Sequence, residues 1–147
     1  MAEVIAMDPR RILVVANQTA CGDELLEVVK GRMEAGACRF TLLVPATPPN
    51  EHLTYTEGDA HAIARRRMDE ALARFRAAGA EADGVVGDPN PVRAIDDVLI
   101  DQPHDEIILS TLPSKVSRWL KLDLPHRVEQ RFDELPVTTV ISQRQPA

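Results

Sequence analysis

Short runs of aliphatic and β-branched residues alternate along the chain with longer amphipathic segments. Strands and crossover helices that alternate in this way are typical of a parallel sheet covered by helices. The five predicted strands are Arg11–Ala16, Arg39–Val44, Glu81–Val86, Glu106–Ser110 and Pro136–Ile141. We therefore predict an α/β fold around an open five-stranded parallel sheet.

Apolar residues recur at helical spacing in each of the four connections between these strands. The segments that show this pattern run from Leu25 to Met33, from about Asp59 to Ala78, from Pro91 to Leu99, and from Ser114 onward with an interruption at Pro125. Ile107, Ile108 and Leu109 are apolar at consecutive positions, which predicts that the fourth strand is buried on both faces. The fifth strand contains two threonines, which favours a position at the edge of the sheet.

The composition indicates one globular domain, because 44% of the 147 residues are hydrophobic and 27% are charged. Residues 1–9 show no periodicity, so we expect a loose leader followed by a single domain over residues 10–147. The longest apolar runs are far shorter than the ~20 residues that a transmembrane helix needs. The two cysteines form neither a zinc set nor a redox pair. We expect a cytoplasmic protein with reduced thiols, no membrane contact and no metal.

Several functional classes are poor matches to the sequence. The net charge of −6 argues against duplex nucleic acid, and aromatic residues make up only 3% of the chain, too few for a base-stacking platform. The sequence contains neither a dinucleotide-binding glycine motif nor a P-loop. A catalytic triad could be composed from Ser110, His126 and Asp88, but the nucleophile elbow is missing. We therefore favour a binding protein without turnover over an enzyme.

Five segments carry a more specific signal. They are Ile12–Asn17, Gly87–Pro89, Asp105–Thr111, His126–Val128 and Pro136–Val140. Together they resemble the universal stress protein family over nearly the whole chain, from Arg11 to Ser142. The resemblance implies a single Rossmann-like domain with strand order 3-2-1-4-5 and a switch point between strands one and four. It also implies a role in the stress response and a homodimer paired along residues 136–141.

Nucleotide-binding members of that family carry three glycines after strand four, and the backbone amides there wrap the phosphates. Here the three glycine places and the Ser or Thr that follows them fall on Ser110, Pro113, Asp123 and Leu124, or, in a register one residue shorter, the last two fall on Leu122 and Asp123. Pro113 has no amide hydrogen to donate, and the carboxylate of Asp123 repels a phosphate. The acidic residue that the family carries after strand one is replaced by Asn17. The resemblance therefore predicts a regulatory or protective binding module that binds no ATP.

An adenine-nucleotide-binding protein with slow phosphohydrolase activity remains an alternative, as does an adaptor that works through protein contacts. Lys115, Arg118, Lys121 and Arg127 outnumber the single acid Asp123 between residues 114 and 127. This basic stripe could hold a phosphate or another small anion, or it could be a solvated helix face with Ser114 as its N-cap. If a nucleotide or an anion binds, the candidate site residues are Asn17, Gly87, Pro89, Ser110, Thr111, Ser114, Lys115, Arg118, His126 and Arg127.

Overall fold

A computed structural model describes residues 9–47, 57–113, 118–121 and 123–142, with the backbone alone for Glu57, Arg118 and Lys121. These residues form five strands and five helices, and two of the helices lie between the last two strands. The strands are β1 (Arg10–Val15), β2 (Cys38–Pro45), β3 (Ala82–Gly87), β4 (Glu106–Thr111) and β5 (Val137–Ile141). The helices are α1 (Asp23–Ala35), α2 (Glu57–Ala77), α3 (Pro91–Asp101), α4 (Arg118–Lys121) and α5 (Leu124–Arg131).

The five strands form one parallel sheet in the order β3-β2-β1-β4-β5. This order confirms the predicted fold class and topology, and each strand lies within one residue of its predicted bounds. Strand β4 is buried along its whole length, as its unbroken apolar core predicts. Strand β5 lies at one edge of the sheet and β3 at the other.

Successive side chains of the central strands point to opposite faces and build two apolar layers. On one face, Ile12 and Val14 pack against the buried sides of α1 and α2. On the other face, Leu13 and Val15 pack against α3 and α5. The crossover helices thus cover both faces of the sheet, which leaves its two ends for polar chemistry.

The connection between β4 and β5 differs from the single interrupted helix that the sequence predicts. Two short helices lie there, and Asp123 between them has a left-handed backbone conformation with a φ of 58°. Pro125 is the second residue of α5. The predicted helix start at Ser114 lies outside the described residues.

The amino end of the sheet holds an ionic cluster around Glu106, whose side chain is only 5% exposed. Arg32 of α1 donates from Nη2 to Oε2 of Glu106 at 2.6 Å, and Arg10 of β1 donates from Nε to Oε1 at 3.4 Å. The hydroxyl of Thr138 on β5 lies 3.4 Å from Oε2. One carboxylate therefore joins β1, α1, β4 and β5.

Candidate functional site

The switch point lies between β1 and β4, the two adjacent strands from which the chain continues to opposite edges of the sheet. In open parallel sheets, ligands bind beyond the carboxyl ends of the strands at such a point. Five buried polar residues end or follow strands β1, β4 and β5 here. They are Asn17, Thr19, Ser110, Thr111 and Ser142.

Hydrogen bonds of side-chain hydroxyls and of the backbone connect the ends of β1, β4 and β5. The side-chain oxygens of Thr19 and Ser110 lie 2.6 Å apart, so that one hydroxyl donates to the other. The hydroxyl of Thr111 donates to the carbonyl of Leu112 at 2.9 Å. The backbone amide of Ser142 donates to the carbonyl of Thr111, also at 2.9 Å. These groups carry no formal charge, so the floor of the site is neutral.

The hydroxyl of Ser142 differs from its neighbours because it is buried and has no hydrogen-bond partner in the described part of the chain. It lies beside Gly22, where an added Cβ would come within 2.9 Å of the Ser142 oxygen and 3.1 Å of the carbonyl of Thr19. The glycine is needed here for close approach, since its φ of −72° suits any residue.

Asn17 follows β1 directly, and both ends of its amide are bonded within the protein. Nδ2 donates to the carbonyl of Pro45 at 2.8 Å, and Oδ1 accepts a hydrogen bond from Nη1 of Arg67 on α2. The side chain is 8% exposed. Asn17 is therefore fixed by its neighbours, and one N–H and one lone pair of its buried amide remain.

Two arginines one heptad apart on α2 face the loop after β1. Arg67 bonds Asn17, while Arg74 bonds the carbonyl of Cys21 and pairs with Asp23 at 3.0 Å. Burial, followed by the charge of neighbouring Arg66, lowers the pKa of Arg67. Burial also raises the pKa of the Cys21 thiol, which makes this cysteine a poor thiolate.

The loop after β3 carries two more predicted site residues. Gly87 pairs with Pro45, and a Cβ there would come within 2.7 Å of the Leu43 side chain and 2.9 Å of the Ala94 side chain. The carbonyl of exposed Pro89 accepts a hydrogen bond from the hydroxyl of Thr47 at 2.9 Å. Gly87 is thus required for packing of β3 against α3, and Pro89 joins two loops.

The basic stripe is only partly described. His126 and Arg127 lie exposed in the first turns of α5, and Arg118 begins α4. Ser114, Lys115 and the side chain of Arg118 lie outside the described residues. Of all the predicted site residues, the structure places three at the switch point, namely Asn17, Ser110 and Thr111.

Sequence reasoning missed three residues of this site. Arg67 lies in a run with Arg65 and Arg66 that is typical of a solvated helix face, but it is half-buried whereas its two neighbours are exposed. Thr19 and Ser142 carry no motif. The helical position of Arg67 next to buried Met68 is the one signal that could have indicated an inward orientation.

A cavity of about 400 Å³ lies at the opposite, amino end of the sheet. Arg39 pairs there with Glu81 at 3.5 Å and Arg76 with Asp83 at 3.6 Å, so most of its charges are balanced. Burial lowers the pKa of His104 in its wall, and this ring lies 3.0 Å from the hydroxyl of Thr41. This cavity therefore lacks the position at the switch point that favours a ligand.

The described residues contain neither a membrane-spanning helix nor a metal-binding cluster. They contain no helix long and apolar enough to cross a membrane. They also contain no group of three or more histidine, cysteine or acidic residues arranged to hold a metal ion.

Several solved structures of universal stress proteins have this architecture. One in complex with cAMP has a TM-score of 0.55 and 20% identity over 91% of this chain and 98% of its own. One from Archaeoglobus fulgidus in complex with dAMP has a TM-score of 0.60 and 14% identity over 90% and 98%. One from Burkholderia pseudomallei has a TM-score of 0.58 and 16% identity over 88% and 93%. No protein-family model and no curated protein matches the sequence. The chain therefore has the universal stress protein fold.

Proposed function

We propose that this chain is a regulatory or protective binding module with the universal stress protein fold, and that it works without ATP and without turnover. The observation that carries the proposal is the turn between α4 and α5. There, the left-handed residue is Asp123 rather than glycine, and a proline occupies the second position of the following helix.

Backbone amides are the groups that a triphosphate needs at a helix start and at a tight turn. Pro125 removes one such amide from the first turn of α5, and Pro113 removes another just after β4. The side chain of Asp123 caps no amide of α5, and the residue is exposed. Its carboxylate would repel a phosphate about 4 Å away by roughly 1 kcal/mol in water and by about 4 kcal/mol at an effective dielectric constant of 20.

The nucleoside side of the switch point is also occupied by internal bonds. Asn17 is buried, and its amide is already bonded to Arg67 and to the carbonyl of Pro45, so a base or ribose would compete with these partners. Each exchanged hydrogen bond yields little net free energy, since the protein loses as much as the ligand supplies. Both halves of an ATP site are thus disfavoured.

Calorimetric titration of the purified protein with magnesium ATP tests the proposal. We expect no measurable binding at ligand concentrations up to about 1 mM, and no phosphate release from ATP. Asp123→Gly combined with Pro125→Ala should raise the affinity, because the pair removes one repulsive charge and restores one amide. A micromolar dissociation constant for the unaltered protein, lost in Lys115→Ala, would overturn the proposal.

An adenine mononucleotide is the second candidate ligand. Two neighbours of the same fold were solved with cAMP and with dAMP, and a monophosphate needs fewer amide donors than a triphosphate. Titration with cAMP and AMP, together with absorbance near 260 nm of the protein as purified, separates this candidate from the first. Binding of either nucleotide at micromolar concentration would favour it.

We also propose that two chains pair through the edge strand β5. Because amide directions alternate along a strand and the amide of Ser142 points to β4, the amides of Val137, Thr139 and Ile141 point away from the sheet. Ile141 is 41% exposed. Pairing would satisfy these amides and cover the edge. We expect a dimer in sedimentation velocity that Thr139→Pro dissociates, whereas a monomer at high protein concentration would contradict the pairing.

A further inference from the structure

Three arginines in the described part of the chain are half-buried, and two of them have a carboxylate partner. Arg32 pairs with Glu106 at 2.6 Å, and Arg74 pairs with Asp23 at 3.0 Å. Arg67 has the neutral amide of Asn17 as its partner, and no carboxylate of the described residues lies within ion-pair distance of it. Half-buried charges are normally compensated. Glu70, three residues along α2, is the acid whose charge acts on Arg67, but its effect on the pKa is smaller than that of burial and of Arg66.

Arg67 can be compared directly with Arg74. The two arginines are seven residues apart on one face of α2, and both contact the loop after β1. The first residue of α1, Asp23, supplies an acid to Arg74, and the loop supplies the amide of Asn17 to Arg67. The chain has Asn17 where an aspartate would neutralise the guanidinium. Asn17 follows β1, one of the two strands of the switch point, so the charge lies beside the place where a ligand would bind.

The guanidinium of Arg67 also has donors to spare. Of its five N–H groups, one on Nη1 is used by Asn17. The planar fork of an arginine matches two oxygens of a carboxylate or a phosphate. Asn17 contributes by fixing the guanidinium, since its own amide nitrogen is engaged with Pro45.

We propose that Arg67, oriented by Asn17, binds a small oxyanion at the carboxyl ends of β1 and β2, as the charged group of the module's ligand. This inference rests on the proposed function, whose ligand class it specifies. A free anion and a phosphate ester share the same recognition, so the experiment includes both. Burial and the charge of Arg66, which lower the pKa of Arg67, are also the conditions under which an anion would be most stabilising.

The test titrates the full chain with inorganic phosphate and, separately, with AMP, and follows the Nε–H resonance of Arg67 by NMR. Arg67→Gln removes the charge but keeps an amide near Asn17, and should weaken phosphate binding at least about tenfold. Arg66→Gln is the matched control, because it removes the same charge from an exposed neighbour and should change the dissociation constant less than about twofold. Circular dichroism checks that each variant is folded.

Asn17→Asp gives an independent test that keeps the arginine. The new carboxylate should pair with Arg67, reduce phosphate binding at least about tenfold and raise the melting temperature, a combination that a merely structural role for Arg67 would not produce. Tighter binding of AMP than of phosphate, with both weakened in Arg67→Gln, would identify a phosphate ester as the source.

Two results would overturn the inference. One is the absence of binding of either probe to the unaltered protein at about 10 mM, and the other is an equal loss of binding in Arg66→Gln and Arg67→Gln. Neither result affects the proposal on ATP. Conversely, micromolar ATP binding that is unchanged in Arg67→Gln would overturn the proposed function, whereas phosphate binding that is lost only in Arg67→Gln would still support the site at Arg67.

Discussion

The two ends of the sheet differ in how their buried polar and charged groups are paired. At the amino end, Glu106 is buried with a full charge and is compensated by Arg32 and Arg10. At the carboxyl end, the buried groups are hydroxyls and an amide, and the half-buried charge of Arg67 has no carboxylate within ion-pair distance among the described residues. At the amino end, the charge of Glu106 is paired. At the carboxyl end, Arg67 has no carboxylate partner and the hydroxyl of Ser142 has no hydrogen-bond partner among the described residues.

This difference separates a structural use of charge from a functional one. A buried ion pair that is fully hydrogen-bonded fixes geometry, and the loss of one partner is expensive. An unmatched half-buried charge adds no stability and carries a desolvation cost, but its field is available to a ligand. The comparison therefore predicts large stability effects at the amino end and small ones at the carboxyl end.

The largest effect is expected for Glu106→Gln. The substitution keeps the shape of the side chain but leaves Arg32 without its anion, so the free energy of unfolding should fall by about 3 kcal/mol or more. Urea denaturation measures the change. Glu129→Gln, at an exposed position of α5, is the control and should stay within about 0.5 kcal/mol. A loss at Glu106 no larger than at Glu129 would break the comparison.

The same variant makes a pH test possible. Burial alone would raise the pKa of Glu106, but the hydrogen bonds and charges of Arg32 and then of Arg10 outweigh it and hold the pKa below its usual value. A depressed carboxyl pKa stabilises the fold above the unfolded value of about 4.3, and this stabilisation is lost as the pH falls through the folded value. The stability difference between the unaltered protein and Glu106→Gln should therefore narrow below about pH 4. His104 titrates in both proteins, and its contribution cancels.

Smaller effects are expected at the carboxyl end, where two serines form a matched pair. Ser110→Ala removes the partner of Thr19 and leaves a buried hydroxyl unbonded, which should cost about 1–2 kcal/mol. Ser142→Ala removes a hydroxyl that has no partner and should change stability by less than about 0.5 kcal/mol, or increase it. Equal losses of stability at both positions would show that the Ser142 hydroxyl has a hydrogen-bond partner, such as water. This result would weaken the difference between the two ends of the sheet.

The fold could be predicted from the sequence because its signals are local and repetitive. The run Ile107–Leu109 indicates a strand buried on both faces, and the threonines of β5 indicate an edge, without any knowledge of partners. The strand order, by contrast, came from the resemblance to a family. The bend at Asp123 was missed because an aspartate with a positive φ depends on the surrounding packing rather than on helical periodicity.

The site was predicted less completely, since its contacts join distant parts of the chain. Asn17 and Ser110 could be placed because they follow strands. Their partners Arg67 and Thr19 are 50 and 91 residues away from them in sequence, and no spacing rule connects such positions. Arg67 also lies within a run of three arginines, which hides the one that turns inward.

The central position of β1 has a consequence for synthesis of the protein on the ribosome. Strand β2, one neighbour of β1, follows it closely in the chain, but the other neighbour, β4, is translated about 90 residues later. Until then, the nascent chain carries an unpaired edge of four fully buried residues of the mature fold, from Ile12 to Val15. An apolar edge of this kind is prone to mispairing, so we expect the half-made chain to need chaperone protection more than the finished one does.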